Sequence, residues 1–167
     1  SPVPVVSLYT DNAYLFDDST GVMVKGTGRT PNYMKNLQYP CQLEYFDENG
    51  QLGICQMGTF KIAGKTMRTG KQKSLAVYAR KAYGSDTFGY PFFEDRDYDG
   101  YSAILLRYTN SDFKSTRLRD AALQELAKGL GLYYQAGKVI QVYLNGQYWG
   151  HYNLRERANR ESLAQWE

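Results

Sequence analysis

Residues 139–152 read VIQVYLNGQYWGHY, and this stretch decides the fold. Asn145 and Gly146 are the preferred pair for a two-residue type I′ turn, and strand-forming residues flank the pair on both sides. The stretch therefore predicts a β-hairpin with strands at residues 139–144 and 147–152. It also indicates that the chain builds an antiparallel sheet.

The register of this hairpin is expected to place Tyr143 opposite Tyr148 and Val142 opposite Trp149. His151, the only histidine of the chain, then lies on the same strand face as Trp149. A lone histidine on a strand face is typical of packing or hydrogen bonding and not of catalysis. No serine has the sequence context of an acyl-transfer nucleophile, so hydrolysis of that kind has no support.

Alternating and β-branched residues predict further strands on the N-terminal side of the hairpin. These strands are residues 3–10, 41–46, 52–56, 59–63, 74–79 and 103–108. Residues 25–40 are predicted to be an exposed loop, and residues 83–100 a long polar and aromatic excursion. Sixteen tyrosines and seven phenylalanines among 167 residues also favour a β-rich fold.

One helix is clearly predicted, with Ser115 or Thr116 as its N-cap and Gly129 and Gly131 as its end. Its apolar residues recur at helical spacing: Leu118, Ala121, Ala122, Leu123, Leu126 and Ala127. This spacing predicts one apolar face that lies on the sheet. Residues 159–167 predict the first turns of a second helix. The fold class is therefore predicted to be α+β, a mainly antiparallel β-sheet with one principal helix packed on it.

Size, charge and cysteine content limit the classes to which the chain can belong. A length of 167 residues fits one domain, and a net charge of +3 is too small to indicate nucleic-acid binding by itself. The opening residues SPVP indicate a processed or excised chain, because they contain neither a methionine nor an apolar signal segment. Cys41 and Cys55 are the only cysteines, which excludes a zinc site made of cysteine and histidine but leaves one disulfide open.

Residues 143–157, YLNGQYWGHYNLRER, are the most specific segment of the chain. Other characteristic segments are PVVSL at 4–8, LFD at 15–17, LEYFD at 43–47, GTFKIAGKTMR at 58–68, QKSL at 72–75, LR at 106–107 and LRD at 118–120. In this order, the segments resemble the kinase-like CotH family, which is named after a bacterial spore coat protein. The resemblance spans almost the whole chain.

The resemblance implies a kinase-like fold in which residues 1–167 form the nucleotide-covering small lobe, the N-terminal part of a larger domain cut off after Glu167. It also implies a reaction, because members of the family are thought to use ATP and Mg²⁺ or Mn²⁺ to phosphorylate partner proteins. The expected acceptor is a protein of a surface or coat layer, and the expected location is bacterial and secreted or at the cell surface. Neither nucleic acid nor membrane insertion is expected, and the oligomeric state stays open.

A basic segment between Glu48 and Asp86 has no acidic residue. Its cationic residues are Lys61, Lys65, Arg68, Lys71, Lys73, Arg80 and Lys81. Gly64 and Gly70 allow the backbone to approach phosphates, whose charge cationic side chains neutralise. The alternative is a solvated basic hairpin without a ligand, and this alternative stays open.

Four residues are predicted to bind the nucleotide: Arg68, Lys73, Asp120 and Glu156. Lys73 precedes an apolar strand and resembles the strand lysine of kinases, whose partner is a helix carboxylate such as Asp120 or Glu125. Glu156 is expected near the linker to the large lobe. The alternatives are a surface lysine at position 73 and solvent-exposed ion pairs on the helix.

Residues 95–100, DRDYDG, imitate the opening of a calcium loop, but Leu106 stands where the closing glutamate belongs. The pattern favours a solvated turn, with a weak calcium site as the alternative. Phosphoryl transfer needs acidic metal ligands, and only Glu161 and Glu167 follow Glu156. No catalytic residue and no isolated catalysis are therefore expected in this chain.

Three classes of function follow from these observations. The first is the nucleotide-facing part of a CotH-type protein kinase. The second is a non-catalytic protein- or glycan-binding module of the cell surface, which a tyrosine-rich sheet would suit. The third is nucleic-acid binding through the basic segment with Tyr78 and Tyr83, which a steep salt dependence of binding would reveal.

Overall fold

A computed structural model describes residues 3–108 and 119–157, without the side chains of residues 66, 67 and 119–121. The strands are β1 (Val5–Tyr9), β2 (Gln38–Phe46), β3 (Leu52–Ile62), β4 (Leu75–Ala79), β5 (Phe88–Gly89), β6 (Gly100–Tyr101), β7 (Ala103–Arg107), β8 (Gly137–Leu144) and β9 (Gln147–Glu156). The helices are α1 (Asn12–Phe16) and α2 (Arg119–Gly129), with 3₁₀ turns at Asn32–Met34, Thr66–Thr69 and Lys81–Tyr83. The predicted helix caps at 115–116 and the predicted second helix at 159–167 lie outside the described residues.

Seven strands close into a barrel in the order β1-β2-β3-β4-β7-β9-β8. Neighbours are antiparallel except β1 and β8, whose parallel pairing puts Val6 beside Val142 and Leu8 beside Leu144. This pairing joins the two edges that an open sheet would expose. The prediction of an α+β sheet with one principal helix packed on it, like a kinase small lobe, is therefore wrong. The fold is mostly β and is built around a closed barrel.

Helix α2 turns polar residues toward the rest of the molecule, which is the reverse of the prediction. Gln124 Oε1 accepts a hydrogen bond from the backbone N–H of Gln135 at 2.8 Å, and Lys128 pairs with Asp95 at 3.1 Å. Leu126 on the predicted apolar face is 59% exposed. The polar contacts fix how the helix lies, and its leucines therefore do not pack on the sheet.

The inward-facing residues of the barrel strands form one apolar core. Successive residues of a strand point to opposite faces, so every second residue reaches the inside of the barrel. The fully buried core residues include Val6, Leu8, Leu43, Tyr45, Phe60, Leu75, Val77, Ile104, Leu106, Ile140, Val142 and Leu154. These side chains hold the strands that carry the candidate site residues.

The segment predicted as an excursion, residues 83–100, is packed onto the barrel. Its short strand β5 pairs with β6, and Phe88, Phe92 and Phe93 are buried. The ring of Phe92 packs edge-on against Tyr45 of β2, with the ring centroids 5.2 Å apart. The aromatic residues of this segment therefore extend the core beyond the barrel strands.

The predicted hairpin is confirmed as β8 and β9. Asn145 and Gly146 have φ angles of 49° and 79°, the left-handed values that a type I′ turn requires at both positions. The strands are longer than predicted, since β8 begins at Gly137 and β9 ends at Glu156. The turn chemistry was thus sufficient to find this element.

The predicted register of the hairpin is correct beside the turn and wrong further away. Tyr143 lies opposite Tyr148 as expected, but Val142 lies opposite Gly150 and not Trp149. The register shifts between Val142 and Tyr143, which is the signature of a β-bulge. One extra residue on β9 therefore changes every pairing beyond the bulge.

The two cysteines are free. They lie on different rungs of the β2–β3 hairpin, with Cys41 opposite Gly58 and Cys55 opposite Glu44. Cys41 is buried in the core, whereas Cys55 is exposed on the outer face, so the disulfide left open by the sequence is not formed. Burial raises the pKa of the Cys41 thiol to about 12.

The barrel has two ends, and each holds one group of the candidate residues. The Lys73 end comprises the segment 63–74 between β3 and β4, the 3₁₀ turn Asn32–Met34 and the β8–β9 turn. The Glu156 end comprises the β2–β3 turn, the end of β9 and the start of β8. Within the described residues, no helix has both the length and the apolar character to cross a membrane.

Candidate functional site

Lys73 is buried at the Lys73 end, just before strand β4. Its relative exposure is 2%, its Nζ donates a hydrogen bond to the Gly70 carbonyl, and the Nζ lies 4.7 Å from the centroid of the Tyr33 ring. Burial lowers the pKa of Lys73. The side chain is therefore stabilised by a carbonyl dipole and an aromatic face, and the alternative of a surface lysine is wrong.

Lys73 has no counter-ion in the described part of the chain. None of the ion pairs formed there includes Lys73. A buried cation that lacks a carboxylate is costly, because the protein interior replaces water poorly as a solvent for charge. Lys73 is therefore able to accept an anion as its partner.

Arg68 folds back on its own loop. Its Nε donates to the Gly64 carbonyl at 2.5 Å, and its two Nη atoms donate to the carbonyls of Tyr33 and Ile62 at 3.3 and 3.4 Å. Gly64 has a φ of 81°, a left-handed conformation that glycine adopts without strain. Arg68 thus fixes the shape of the loop and adds positive charge beside Lys73.

Tyr33 links the two predicted residues and was missed by the sequence analysis. Its backbone carbonyl accepts a hydrogen bond from Arg68, and its ring lies over the Lys73 ammonium. The neighbouring Asn32 is 1% exposed and donates to the Asp18 carbonyl at 2.9 Å. Residues 25–40 were predicted to be an exposed loop, and this prediction is wrong at two places, since Asn32 is buried and strand β2 already begins at Gln38.

Glu156 lies at the opposite end of the barrel from Lys73. The Tyr152 hydroxyl donates to the Lys73 carbonyl at 3.2 Å, and Glu156 follows four residues further along β9. At the rise of a β-strand this separation is roughly 13 Å. The structure therefore brings Arg68 and Lys73 together and keeps Glu156 apart from them.

The carboxylate of Glu156 is bonded on both oxygens by groups of this chain. Oε2 accepts from Arg96 Nε at 3.0 Å and from the Tyr98 hydroxyl at 2.7 Å. Oε1 accepts from Arg96 Nη2 at 2.5 Å and from the Ala136 N–H at 2.9 Å. With a relative exposure of 1%, Glu156 therefore anchors the end of β9, and its oxygens are already engaged.

The bonds around Glu156 extend into a larger network. Burial alone lowers the pKa of Arg96, but its hydrogen bond and charge interaction with Glu156 outweigh burial and raise it. Burial raises the pKa of Asp95, but hydrogen bonds from Tyr134 and Lys128 outweigh this effect and lower it. The network keeps both partners charged, which is typical of a structural ion pair.

The helix carboxylates expected to pair with Lys73 are not seen in that role. The backbone of Asp120 belongs to α2, but its side chain lies outside the described residues. Glu125 lines a pocket of about 240 Å³ together with Lys128 and Lys138, at the Glu156 end. The alternative partner Glu125 is therefore not placed beside Lys73.

The segment that imitates a calcium loop uses its first carboxylate for other bonds. Asp95 accepts from the Tyr134 hydroxyl at 2.6 Å and pairs with Lys128 at 3.1 Å. In residues 3–108 and 119–157, no three acidic, histidine or cysteine side chains gather as they would around a metal ion. The described residues therefore supply no ligand set for calcium, magnesium or manganese.

The Lys73 end contains a buried cation, a second cation beside it and a loop with glycines. Such an arrangement can hold an anionic group and neutralise its charge. The Glu156 carboxylate, by contrast, is bonded on both oxygens by groups of this chain. The candidate functional site is therefore the Lys73 end, made by Arg68, Lys73, Gly70 and Tyr33.

Comparison with protein families agrees with the resemblance noted from the sequence. A family model described as CotH kinase protein matches residues 60–166, which is more than half of the chain. The match includes Arg68, Lys73 and Glu156, whereas β1 and β2 precede it. No curated protein matches the chain. The resemblance is confirmed, and the chain belongs to the CotH kinase family.

Proposed function

We propose that this chain is the nucleotide-facing part of a CotH-type protein kinase, which transfers the γ-phosphate of ATP to a surface or secreted protein. Two observations support the proposal. The chain belongs to the CotH kinase family over residues 60–166. Lys73, inside the matched region, is a buried cation without a carboxylate partner in the described residues. The proposed location, bacterial and secreted or at the cell surface, and the proposed acceptor in a coat or surface layer rest on the family alone.

The environment of Lys73 is the observation that carries the proposal. The ammonium now contacts a neutral carbonyl and a tyrosine ring, both weaker partners than an anion. A phosphate oxygen would bring a full negative charge, so its hydrogen bond with the ammonium would join two opposite charges, which the bond to the neutral Gly70 carbonyl does not. Binding of ATP would therefore offset the cost of burying this lysine.

The residues at the Lys73 end fit the phosphates of ATP, but the described residues do not fit its metal. Lys73 would neutralise phosphate charge, Arg68 would hold the loop in shape, and Gly70 would allow a close approach of the backbone. The chemistry that Mg²⁺ or Mn²⁺ would supply is neutralisation of phosphate charge. No acidic cluster of the described residues could hold that ion.

Titration of the chain with ATP, followed by calorimetry, tests the proposal. Lys73→Met keeps the length of the side chain but removes its charge, and it should weaken ATP binding roughly 10–100-fold, because hydrogen bonds to charged groups contribute about 1.5–3 kcal/mol. Lys71→Met is the matched control, since Lys71 is an exposed lysine of the same loop. Its effect should be less than about 5-fold.

Two results would contradict the proposal. Equal ATP affinities of Lys73→Met and the wild-type chain, with both folded by circular dichroism, would remove the role of Lys73. A folded wild-type chain that binds no ATP would instead favour the non-catalytic protein- or glycan-binding module.

A further inference from the structure

Three cations surround the ring of Tyr78 on the outer face of the barrel. Lys61 Nζ lies 5.4 Å from the ring centroid, and the Cζ atoms of Arg80 and Arg157 each lie 4.9 Å from it. The four residues come from β3, β4 and the segments after β4 and β9. We call this group the Tyr78 cluster.

Among the residues that the structure describes, the cations of the Tyr78 cluster have neutral hydrogen-bond partners. Arg80 Nε donates to Thr59 Oγ1 at 3.1 Å, Lys61 Nζ donates to Asn36 Oδ1 at 3.4 Å, and Arg157 Nη1 donates to the Tyr78 hydroxyl. In the part of the chain that the structure describes, none of the three pairs with a carboxylate. Each guanidinium therefore keeps N–H donors that no group of the described residues uses.

The Tyr78 cluster concentrates positive charge at one point. Every cation lies within 6 Å of a single ring, where the electron-rich face of tyrosine offsets part of the repulsion between them. A duplex or a long polyanion is instead bound by charges that follow its backbone. The compact arrangement therefore favours a single, highly charged anionic group.

A pocket of about 410 Å³ lies beside the Tyr78 cluster. Arg80 and Arg157 line it together with Tyr78, and Asp86 also lines it. The carboxylate of Asp86 repels a continuous polyanion. It is compatible with a ligand that carries one anionic group surrounded by neutral or basic groups. A phosphomonoester on a protein side chain has this character, because it carries a charge near −2 on three acceptor oxygens.

We propose that the Tyr78 cluster binds a phosphorylated side chain of a partner protein. Arg80 and Arg157 donate to the phosphate oxygens, and Lys61 adds charge from the neighbouring strand. The cluster lies outside the Lys73 end, so this proposal does not rest on nucleotide binding there. It gives the outer face of β3 and β4 a role in recognising a phosphoprotein.

Fluorescence anisotropy with a labelled phosphoserine peptide, whose other residues are neutral, tests this proposal on the full chain. The double variant Arg80→Gln, Arg157→Gln should lose at least about 10-fold in affinity, because two charge-assisted hydrogen-bond donors disappear. The matched control is Lys71→Gln, Lys81→Gln, which removes two exposed charges that belong neither to the Tyr78 cluster nor to the lining of its pocket and should cost less than about 5-fold. The unphosphorylated peptide should not bind.

Several outcomes would overturn the proposal. An equal loss in both double variants would show that only the overall charge matters. Tighter binding of a single-stranded oligonucleotide, with a steep salt dependence, would assign the cluster to nucleic acid. Inorganic phosphate that competes as strongly as the peptide would remove the protein partner. ATP affinity, measured in the Arg80→Gln, Arg157→Gln variant, should stay unchanged and separates this proposal from the one at Lys73.

Discussion

The two ends of the barrel each bury a charged side chain, but they satisfy it in different ways. Glu156 accepts hydrogen bonds from Arg96 and Tyr98 on its carboxylate, and its charge is balanced within the chain. Lys73 contacts the Tyr33 ring and one carbonyl, and no described carboxylate balances it. Burial is nearly the same, with 1% and 2% exposure. The two residues therefore differ in their partners and not in their depth.

This difference separates a structural charge from a candidate binding charge. A buried ion whose partners all belong to the chain stabilises the arrangement of those partners, and its loss leaves another buried charge unpaired. A buried ion without a counter-ion weakens the fold and retains its capacity to bind one. Substitutions at the Glu156 end should therefore change stability, and substitutions at the Lys73 end should mainly change binding.

The largest effect is expected for Glu156→Gln. It should lower the free energy of unfolding by about 3–5 kcal/mol, because it removes the nearer counter-ion of the buried Arg96 and leaves only the Asp95 carboxylate, 3.9 Å away. Urea denaturation measures the change. Glu48→Gln, which breaks the exposed pair with Lys138 at 3.3 Å, is the control and should cost at most about 1 kcal/mol. Similar losses in the two variants would show that the Glu156 network is no more important than a surface pair.

A smaller effect is expected for Tyr98→Phe. The substitution removes the hydroxyl that donates to Glu156 at 2.7 Å, and hydrogen bonds to charged groups contribute about 1.5–3 kcal/mol. Burial and the bond to Glu156 also raise the pKa of Tyr98. Tyr90→Phe is the control, since the Tyr90 ring packs on Tyr45 while its hydroxyl has no hydrogen bond within the described residues. An effect of Tyr98→Phe below about 0.5 kcal/mol, as expected for the control, would contradict the prediction.

The smallest effect is a dependence of stability on pH at the Lys73 end. Burial lowers the pKa of Lys73 from its ordinary value of 10.5, so between the lowered value and 10.5 the unfolded chain binds more protons than the folded chain. The free energy of unfolding of the wild-type chain should therefore rise with pH in that window, relative to Lys73→Met. Below the window both states carry the charged lysine, and the full burial penalty remains.

Urea denaturation of the two proteins at several alkaline pH values measures this difference. Other groups that titrate in the same range, such as the tyrosines, are present in both proteins and cancel in the comparison. A difference that stays flat or falls as the pH approaches 10.5 would contradict the desolvated state of Lys73.

Local turn chemistry predicted part of the fold well. Asn145 and Gly146 sufficed to locate the β8–β9 hairpin, since both adopt left-handed φ angles that few other residues accept. The bulge next to Tyr143 could not be predicted in the same way, because no residue type at that position requires an extra residue on the opposite strand.

Long-range pairing explains most of what the sequence analysis missed. The barrel closes where β1 pairs with β8, and the Thr10 N–H just after β1 donates to Asn145 Oδ1 just after β8. Thr10 and Asn145 are 135 residues apart, and no local pattern predicts such a contact. The ion pair of Arg96 with Glu156 was missed for the same reason, since the two residues are 60 positions apart. In the candidate site, Arg68 and Lys73 were found because one loop contains both, whereas Tyr33 comes from a distant turn. The apolar spacing of α2 predicted a helix but not the direction of its leucines, which polar contacts decide.

The parallel pairing of β1 with β8 has a consequence for how the protein can be shortened. β1 and β2 precede residue 60, where the family match begins. A protein cut to the matched residues would lack the strand that covers β8, and the unpaired N–H and carbonyl groups there would recruit strands from other molecules. Such a preparation is expected to aggregate, so residues 1–59 have to be retained in any expressed version.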